Sequence, residues 1–310
     1  MQARAAFVAV WLLVHVFGRL PTRVLYALAA STGAVMWHTS PRLRAVTRNH
    51  MRHVLGPEAT EAEIERAARG CARASAWYWA DLGRAAHMTQ QQTLEANESF
   101  DGLEHVFEAR DGGRGVVMIS AHVGNPELLA RAAGQVDFNI LVLIEPLRDQ
   151  RLAALMQSVR ARPGVRFLPA NLHGVRATFE QLRSGGLVAI MADRDIQNHG
   201  RPTRFFGEEA VMPPGAAELA LRTGAPVVAG FVYRVGPGRT RLRFTPEIEF
   251  PRTGDVEADL PGAMASIARS LEDGIREAPE QWFVTEPVWP LPNEETVRGH
   301  TTPPPTSADG

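Results

Sequence analysis

Val116-Val117-Met118-Ile119-Ser120-Ala121-His122-Val123-Gly124-Asn125-Pro126-Glu127 is the stretch on which the reading of this chain turns. An apolar, β-branched run ends, a short loop carries a histidine, and a helix begins at Asn125-Pro126. Asn is a favoured N-cap because its side chain accepts from unpaired backbone N–H groups. Pro suits the first helical position, where no N–H is needed. His122 therefore falls at the carboxyl end of a strand, the edge at which open α/β sheets place their sites.

The same alternation continues on both sides. Phe138–Ile144, Val165–Leu168, Leu187–Met191 and Pro226–Tyr233 read as strands, with Arg241–Phe250 as an added edge strand. Pro126–Ala133, Leu147–Ala161, Val175–Arg183, Ala216–Thr223 and Leu260–Ala278 read as helices. Short β-branched runs separated by helical stretches predict an α/β fold: a mostly parallel central sheet flanked by helices. Upstream, Arg42–Leu55 and Glu61–Ala86 are predicted helices broken by Gly56-Pro57, and Thr60 followed by Glu63 makes a capping box for the second. Trp77, Tyr78 and Trp79 near its end fit either a core cluster or an interfacial belt. Residues 291–310, rich in Pro and Thr, predict a disordered tail.

Charge is unevenly spread. The net charge of the 310 residues is -1, which gives no reason to expect nucleic acid. From Met1 to Pro57, however, there are seven arginines and no acid, against 26 basic and 34 acidic residues in the remainder. Lysine is absent, so every base is Arg. Two apolar runs, Ala5–Phe17 and Val24–Trp37, lie in this cationic segment. Thirteen helical residues span roughly 20 Å, short of the roughly 30 Å hydrocarbon slab. A helical hairpin seated in one leaflet, its arginines at the headgroups, is the favoured reading of residues 1–57. A signal peptide, suggested by Ala27-Leu28-Ala29, and buried helices of a soluble protein are the alternatives. Residues 58–290 then form the α/β domain. The lone Cys71 excludes an intrachain disulfide and a Cys-based zinc cluster, and is expected to be a packed thiol. The scattered histidines lack a paired ligand spacing, so no metal is expected.

His122 is the candidate base. A hydroxyl is a poor nucleophile until a positioned base takes its proton, and imidazole is tuned for this near neutrality. Glu127, in the first helical turn, is expected to fold back across the loop and hold the imidazole, fixing its tautomer as the carboxylate of a serine hydrolase does. No Gly-x-Ser-x-Gly elbow is present, so direct attack by the acceptor is simpler than an acyl-enzyme. A structural His capping a helix remains the plain alternative. A second cluster, Ala192-Asp193-Arg194-Asp195, follows the strand Leu187–Met191 onto the same rim. Arg194 suits a phosphate, a carboxylate or a developing oxyanion, or else an ion pair with Asp193 or Asp195. Phe205 and Phe206 suit either an acyl channel or the core.

With these stretches in view, the chain resembles the bacterial lipid A biosynthesis and phosphatidylinositol mannoside acyltransferases. They belong to the wider glycerolipid acyltransferase group marked by a His, four residues and an acid, here His122 to Glu127. The likeness runs in order through Asn49–Gly56, Ser120–Glu127, Ala192–Asp195, Phe205–Gly207, Pro213–Gly215, Arg222–Val227 and Gln281-Trp282-Phe283. It implies a membrane-associated acyltransferase facing the cytoplasm, peripheral or monotopic on the cytoplasmic membrane. Acyl-CoA or acyl-carrier protein would be its co-substrate, with no other cofactor. It also implies His122 as base and Glu127 as acidic partner, with Glu145 and Glu208 as further site acids of the mannoside branch. Asp193, Arg194, Asp195, Phe205, Phe206 and Gly207 would contact substrate. Glu127 departs from the Asp usual in that branch, and Asn198-His199 lies in a variable loop, so the acceptor is open between a glycolipid and a lysophospholipid. A hydrolase using the same dyad and a non-catalytic lipid-binding scaffold are the competing functions.

Overall fold

Strand β2 (Val116–Ser120) is buried along its whole length and is the spine of the molecule. In a computed structural model that describes residues 2–128, 139–161, 164–196 and 198–291, it sits inside a seven-stranded sheet. The other strands of that sheet are β1 (Asn97–Asp101), β3 (Ile140–Ile144), β4 (Val165–Pro169), β5 (Leu187–Met191), β8 (Val227–Gly236) and β9 (Arg239–Phe244). Their order is β1-β9-β8-β2-β5-β3-β4. From β8 to β4 all neighbours are parallel, while β9 turns back antiparallel on β8 and β1 runs parallel to β9. A parallel sheet must be covered on both faces, which is why its strands are nearly all apolar.

Alternation along β2 assigns the two faces. Val117 and Ile119 face a core shared with α3 (Pro41–Leu55), α4 (Glu61–Ala85), α9 (Gly215–Thr223) and α10 (Val256–Glu277). Val116 and Met118 face a second core that includes Phe167 and Phe244, with α6 (Leu103–Asp111), which follows the short α5 (Gln90–Glu95) and β1. Helices α7 (Gln150–Arg160) and α8 (Leu172–Arg183) complete the crossovers around β4. The helix starts follow local chemistry. Ser40, Asp149, Asn171 and Asp255 each accept backbone N–H bonds as N-caps, and Thr60 and Glu63 form the reciprocal capping box. Gly56, at φ 79°, ends α3.

Two corrections to the sequence reading concern strands. Arg241–Phe250 is a strand only as far as Phe244, and not at the edge: β1 lies outside β9, and beyond Phe244 single backbone bonds, Thr245 to Ala229 and Ile248 to Val227, replace the ladder. The segment Asn97–Asp101 carries too many polar residues to show as a strand by itself, and only the paired β9 makes it one. A separate antiparallel hairpin, β6 (Arg201–Phe205) with β7 (Glu208–Met212), was also illegible. The predicted helix from Pro126 is described as far as Leu128, and the predicted tail lies outside the described residues beyond 291.

The amino-terminal runs form α1 (Gln2–His15) and α2 (Thr22–Thr39), joined through a short 3-10 turn. Both lean on α4. At the α2 crossing Gly33 lies so close that an added Cβ would stand 2.8 Å from Arg73 Cα, so only glycine allows this approach. Val10, Val14, Leu25, Tyr26 and Trp37 are buried, whereas Val8, Trp11, Leu12, Val16, Phe17, Val24, Leu28 and Val35 are exposed. Among the described residues, no helix is long and apolar enough to cross a membrane. Cys71 is buried in the α4 core, where desolvation pushes its thiol well above the ordinary range.

Candidate active site

The register of the sheet builds the centre. Strands β2 and β5 are neighbours, with Ser120 opposite Met191, and Ala192 N–H continues the ladder to Ser120 O at 3.0 Å. Two residues past both strand ends the same offset of 71 residues sets His122 against Asp193. Asp193 Oδ1 is 2.7 Å from His122 Nδ1, and Asp193 Oδ2 accepts the His122 backbone N–H at 2.7 Å. The Trp282 indole N–H donates to the same Oδ2 at 2.9 Å.

Asp193 is wholly buried. Desolvation alone would push its carboxyl up, but the charge of the imidazole and the three donated hydrogen bonds outweigh it. The net result is a carboxyl held below the ordinary range. An ionised Asp193 keeps the proton of His122 on Nδ1 and leaves the Nε2 lone pair free to take one.

This pairing corrects the expectation that Glu127 steers the imidazole. Glu127 is held by Arg160 of α7, whose Nε lies 2.9 Å from Oε1, and by the Tyr78 hydroxyl, which donates to Oε1 at 3.1 Å. The physical reason is that β5 delivers a carboxylate directly beside the loop. The first turn of the helix at Pro126 instead points Glu127 along the cavity wall towards α7.

The loop itself is braced from behind. Gly124, at φ 60°, is packed so closely that an added Cβ would stand 1.8 Å from Val232 O. Arg234 of β8 reaches Gly124 O at 3.4 Å while paired with Asp81 of α4, both side chains buried. Phe283 N–H donates to His122 O at 2.9 Å, and Gly124 N–H to Gln281 O at 3.1 Å.

His122 opens into a cavity of about 1110 Å³, beyond the roughly 300–1,000 Å³ of an ordinary ligand cleft. Val142, Ile144, Met156, Phe167, Val175, Phe179 and Ile190 give it apolar walls, and Tyr78, Trp79 and Phe283 flank the histidine side. Phe283 meets the imidazole edge-on at 5.7 Å. Tyr78, Arg160 and Trp282 were not singled out as site residues from the sequence. Only the succession of strand ends could have pointed to the pairing they surround.

At the rim Arg194 contacts Glu145 and Glu286, each at 2.6 Å, not Asp193 or Asp195 as its structural alternative proposed. Glu145, Arg194 and Asp195 all line the cavity. Phe205 and Phe206 do not: they lie in the core against Trp282 and Trp289. Glu208 and Gly207 are also absent from the cavity lining. The Glu208 carboxylate instead meets His53 Nε2 at 3.1 Å, on the hairpin side of the core. The hairpin turns these four residues away because β6 buries its Phe205 end under α10. No cluster of three or more potential metal-ligating side chains occurs among the described residues.

Residues 2–290 match the family described as bacterial lipid A biosynthesis acyltransferase. The chain belongs to that family. It is 29% identical over 216 residues to the phosphatidylinositol mannoside acyltransferase of Mycolicibacterium smegmatis, covering 68% of each protein. The enzyme of the same name from Mycobacterium tuberculosis (strain CDC 1551 / Oshkosh) is 28% identical over 217 residues, 68% of this chain and 66% of that protein. The lipid A biosynthesis acyltransferase of Haemophilus influenzae is 20% identical over 265 residues, covering 85% and 80% of the two chains. As a member of this acyltransferase family the chain is an acyltransferase of lipid biosynthesis, and the cavity above His122 is its candidate active site.

Proposed function

We propose that this acyltransferase works at a membrane surface, moving a fatty acyl group from an acyl-CoA or acyl-carrier-protein thioester to a hydroxyl of a glycolipid. A phosphatidylinositol mannoside is the leading acceptor. The observation that carries the reading is the Asp193–His122 pair at an apolar cavity large enough for an acyl chain. In the first step His122 Nε2 takes the proton of the acceptor hydroxyl as its oxygen bonds to the thioester carbon. The tetrahedral adduct then collapses, the C–S bond breaks, and the imidazolium returns the proton to the departing sulfur. The products are an ester and a free thiol. Asp193 stays ionised and supports the transient imidazolium. Arg160 and Glu127 shape the wall beside the base, and Arg194, between Glu145 and Glu286, marks the polar mouth.

Support for the membrane comes from α1 and α2. Their exposed apolar side chains share a segment whose charged residues are all arginines, suited to an anionic headgroup layer. Deleting residues 1–37 would also strip Leu25, Tyr26 and Trp37 from the core, so point changes on the exposed face test the docking more cleanly.

The deciding experiment incubates purified protein with palmitoyl-CoA, with and without phosphatidylinositol mannoside, and identifies products by mass spectrometry. Acylated lipid formed only with acceptor present, and abolished in a folded His122→Ala variant, is the expected result. Free fatty acid in the absence of acceptor would replace transfer by hydrolysis, and full activity of His122→Ala would remove the base assignment.

A further inference from the structure

The segment Gln281-Trp282-Phe283 stands far along the chain from both halves of the reacting pair, yet it touches each of them. Its backbone forms an isolated bridge to Val123, receives Gly124 N–H and donates Phe283 N–H to His122 O. Its Trp282 side chain, wholly buried, crosses to the other half and donates its indole N–H to Asp193 Oδ2.

The bonds on Asp193 divide unequally. Oδ1 serves the imidazole alone, while Oδ2 collects the His122 backbone N–H and the indole. Without the indole, both oxygens would be held by His122 alone, and the carboxylate plane could turn with that one loop. A second donor from a different element fixes the plane and so fixes the direction in which Oδ1 faces Nδ1. The indole is itself held by ring packing against His50 at 4.8 Å. His50 Nε2 in turn accepts the Val288 N–H at 3.2 Å, which ties the indole support to the segment that carries it.

We infer that Trp282 is a positioning residue of acyl transfer: its indole N–H locks the Asp193 carboxylate so that His122 presents Nε2 to the acceptor hydroxyl. This rests on the proposal that His122 is the base. A donor on Oδ2 draws off negative charge, so removing it leaves Asp193 more strongly anionic and stabilises the imidazolium.

Replacing Trp282 by 3-benzothienylalanine exchanges only the N–H for sulfur and keeps the ring shape; Trp282→Phe is the simpler companion. With palmitoyl-CoA and phosphatidylinositol mannoside, the benzothienyl protein is expected to lose about 10- to 100-fold in kcat with KM unchanged. The acid limb of its pH–rate profile moves up, and the His122 imidazole titration followed by NMR without substrate moves with it. Trp289→Phe alters a buried indole that packs against Trp282 and His50 but makes no bond to Asp193; it lowers thermal stability and leaves both the limb and the titration in place.

Unchanged kcat and titration in the benzothienyl protein would overturn the inference, as would an equal shift in Trp289→Phe. His122→Ala separates the two readings. If it is fully active, the base assignment fails; if it is dead while the benzothienyl protein matches wild type, only the role of Trp282 fails.

Discussion

Asp193→Asn removes one charge and almost no volume, and the structure dictates how the new amide must lie. Two donors, the His122 backbone N–H and the Trp282 indole, converge on Oδ2. Placing the amide NH2 there would forfeit two hydrogen bonds and set donor against donor. At about 1–3 kcal/mol for each buried donor left unpaired, that orientation is disfavoured by roughly 2–6 kcal/mol. The amide oxygen therefore occupies the Oδ2 position and the NH2 faces His122 Nδ1. A nitrogen facing a donor must accept, so the imidazole proton moves to Nε2 and the base is blocked.

The same exchange in a serine protease triad costs about 10⁴-fold in kcat, and a loss of about 10³- to 10⁴-fold is expected here, or roughly 4–5.5 kcal/mol of barrier. Thiol release from palmitoyl-CoA in the presence of acceptor measures it, alongside a melting curve to show that the fold is retained. A loss smaller than tenfold in a folded Asp193→Asn protein would refute the tautomer reasoning.

Glu127→Gln leaves the largely buried Arg160 guanidinium without its carboxylate and is expected to cost about 3 kcal/mol of stability, read as a lowered denaturant midpoint. It should leave the acid limb of kcat where it is, because Nδ1 is held elsewhere. His50 is pushed by burial down to about 3 from an ordinary 6.5. A depressed imidazole stabilises the fold above pH 6.5 and loses that contribution as pH falls towards 3, so about 2 kcal/mol disappears by pH 5. His50→Gln, which keeps an acceptor for Val288 N–H, should flatten unfolding free energy between pH 6.5 and 5. Gly124→Ala drives a methyl into Val232 O and is expected to cut activity at least tenfold in thiol-release assays. Trp11→Glu combined with Leu12→Glu is expected to release the protein from anionic vesicles in a sedimentation assay without lowering its melting temperature, since both side chains are exposed.

Much of the architecture was legible because parallel strands are buried on both faces and stand out as short apolar runs. Val116–Ser120 and Leu187–Met191 were read with the bounds the structure shows. His122 and Asp193 were both placed at carboxyl ends of strands for the same reason. Their partnership was not legible, because it depends on β5 lying next to β2, and lateral order in a sheet is a long-range property that local patterning does not encode. Glu127 was the nearer carboxylate in sequence, and proximity along the chain misled. The hairpin around Phe205-Phe206 failed differently. Its aromatic residues fit channel and core equally well as residue types, and only burial against Trp282 and Trp289 decides between them.

The bonds from Gln281, Trp282 and Phe283 carry a consequence for biosynthesis. A ribosome delivers Asp193 a full 89 residues before the indole that it will receive. Nascent chains halted between Phe244 and Trp282 already contain every strand of the sheet, together with the imidazole and the carboxylate beside it. They lack the last clasp. On the inference above, such a chain would hold the pair without the donor that sets its carboxylate, and full turnover is expected only once Trp282 has been added.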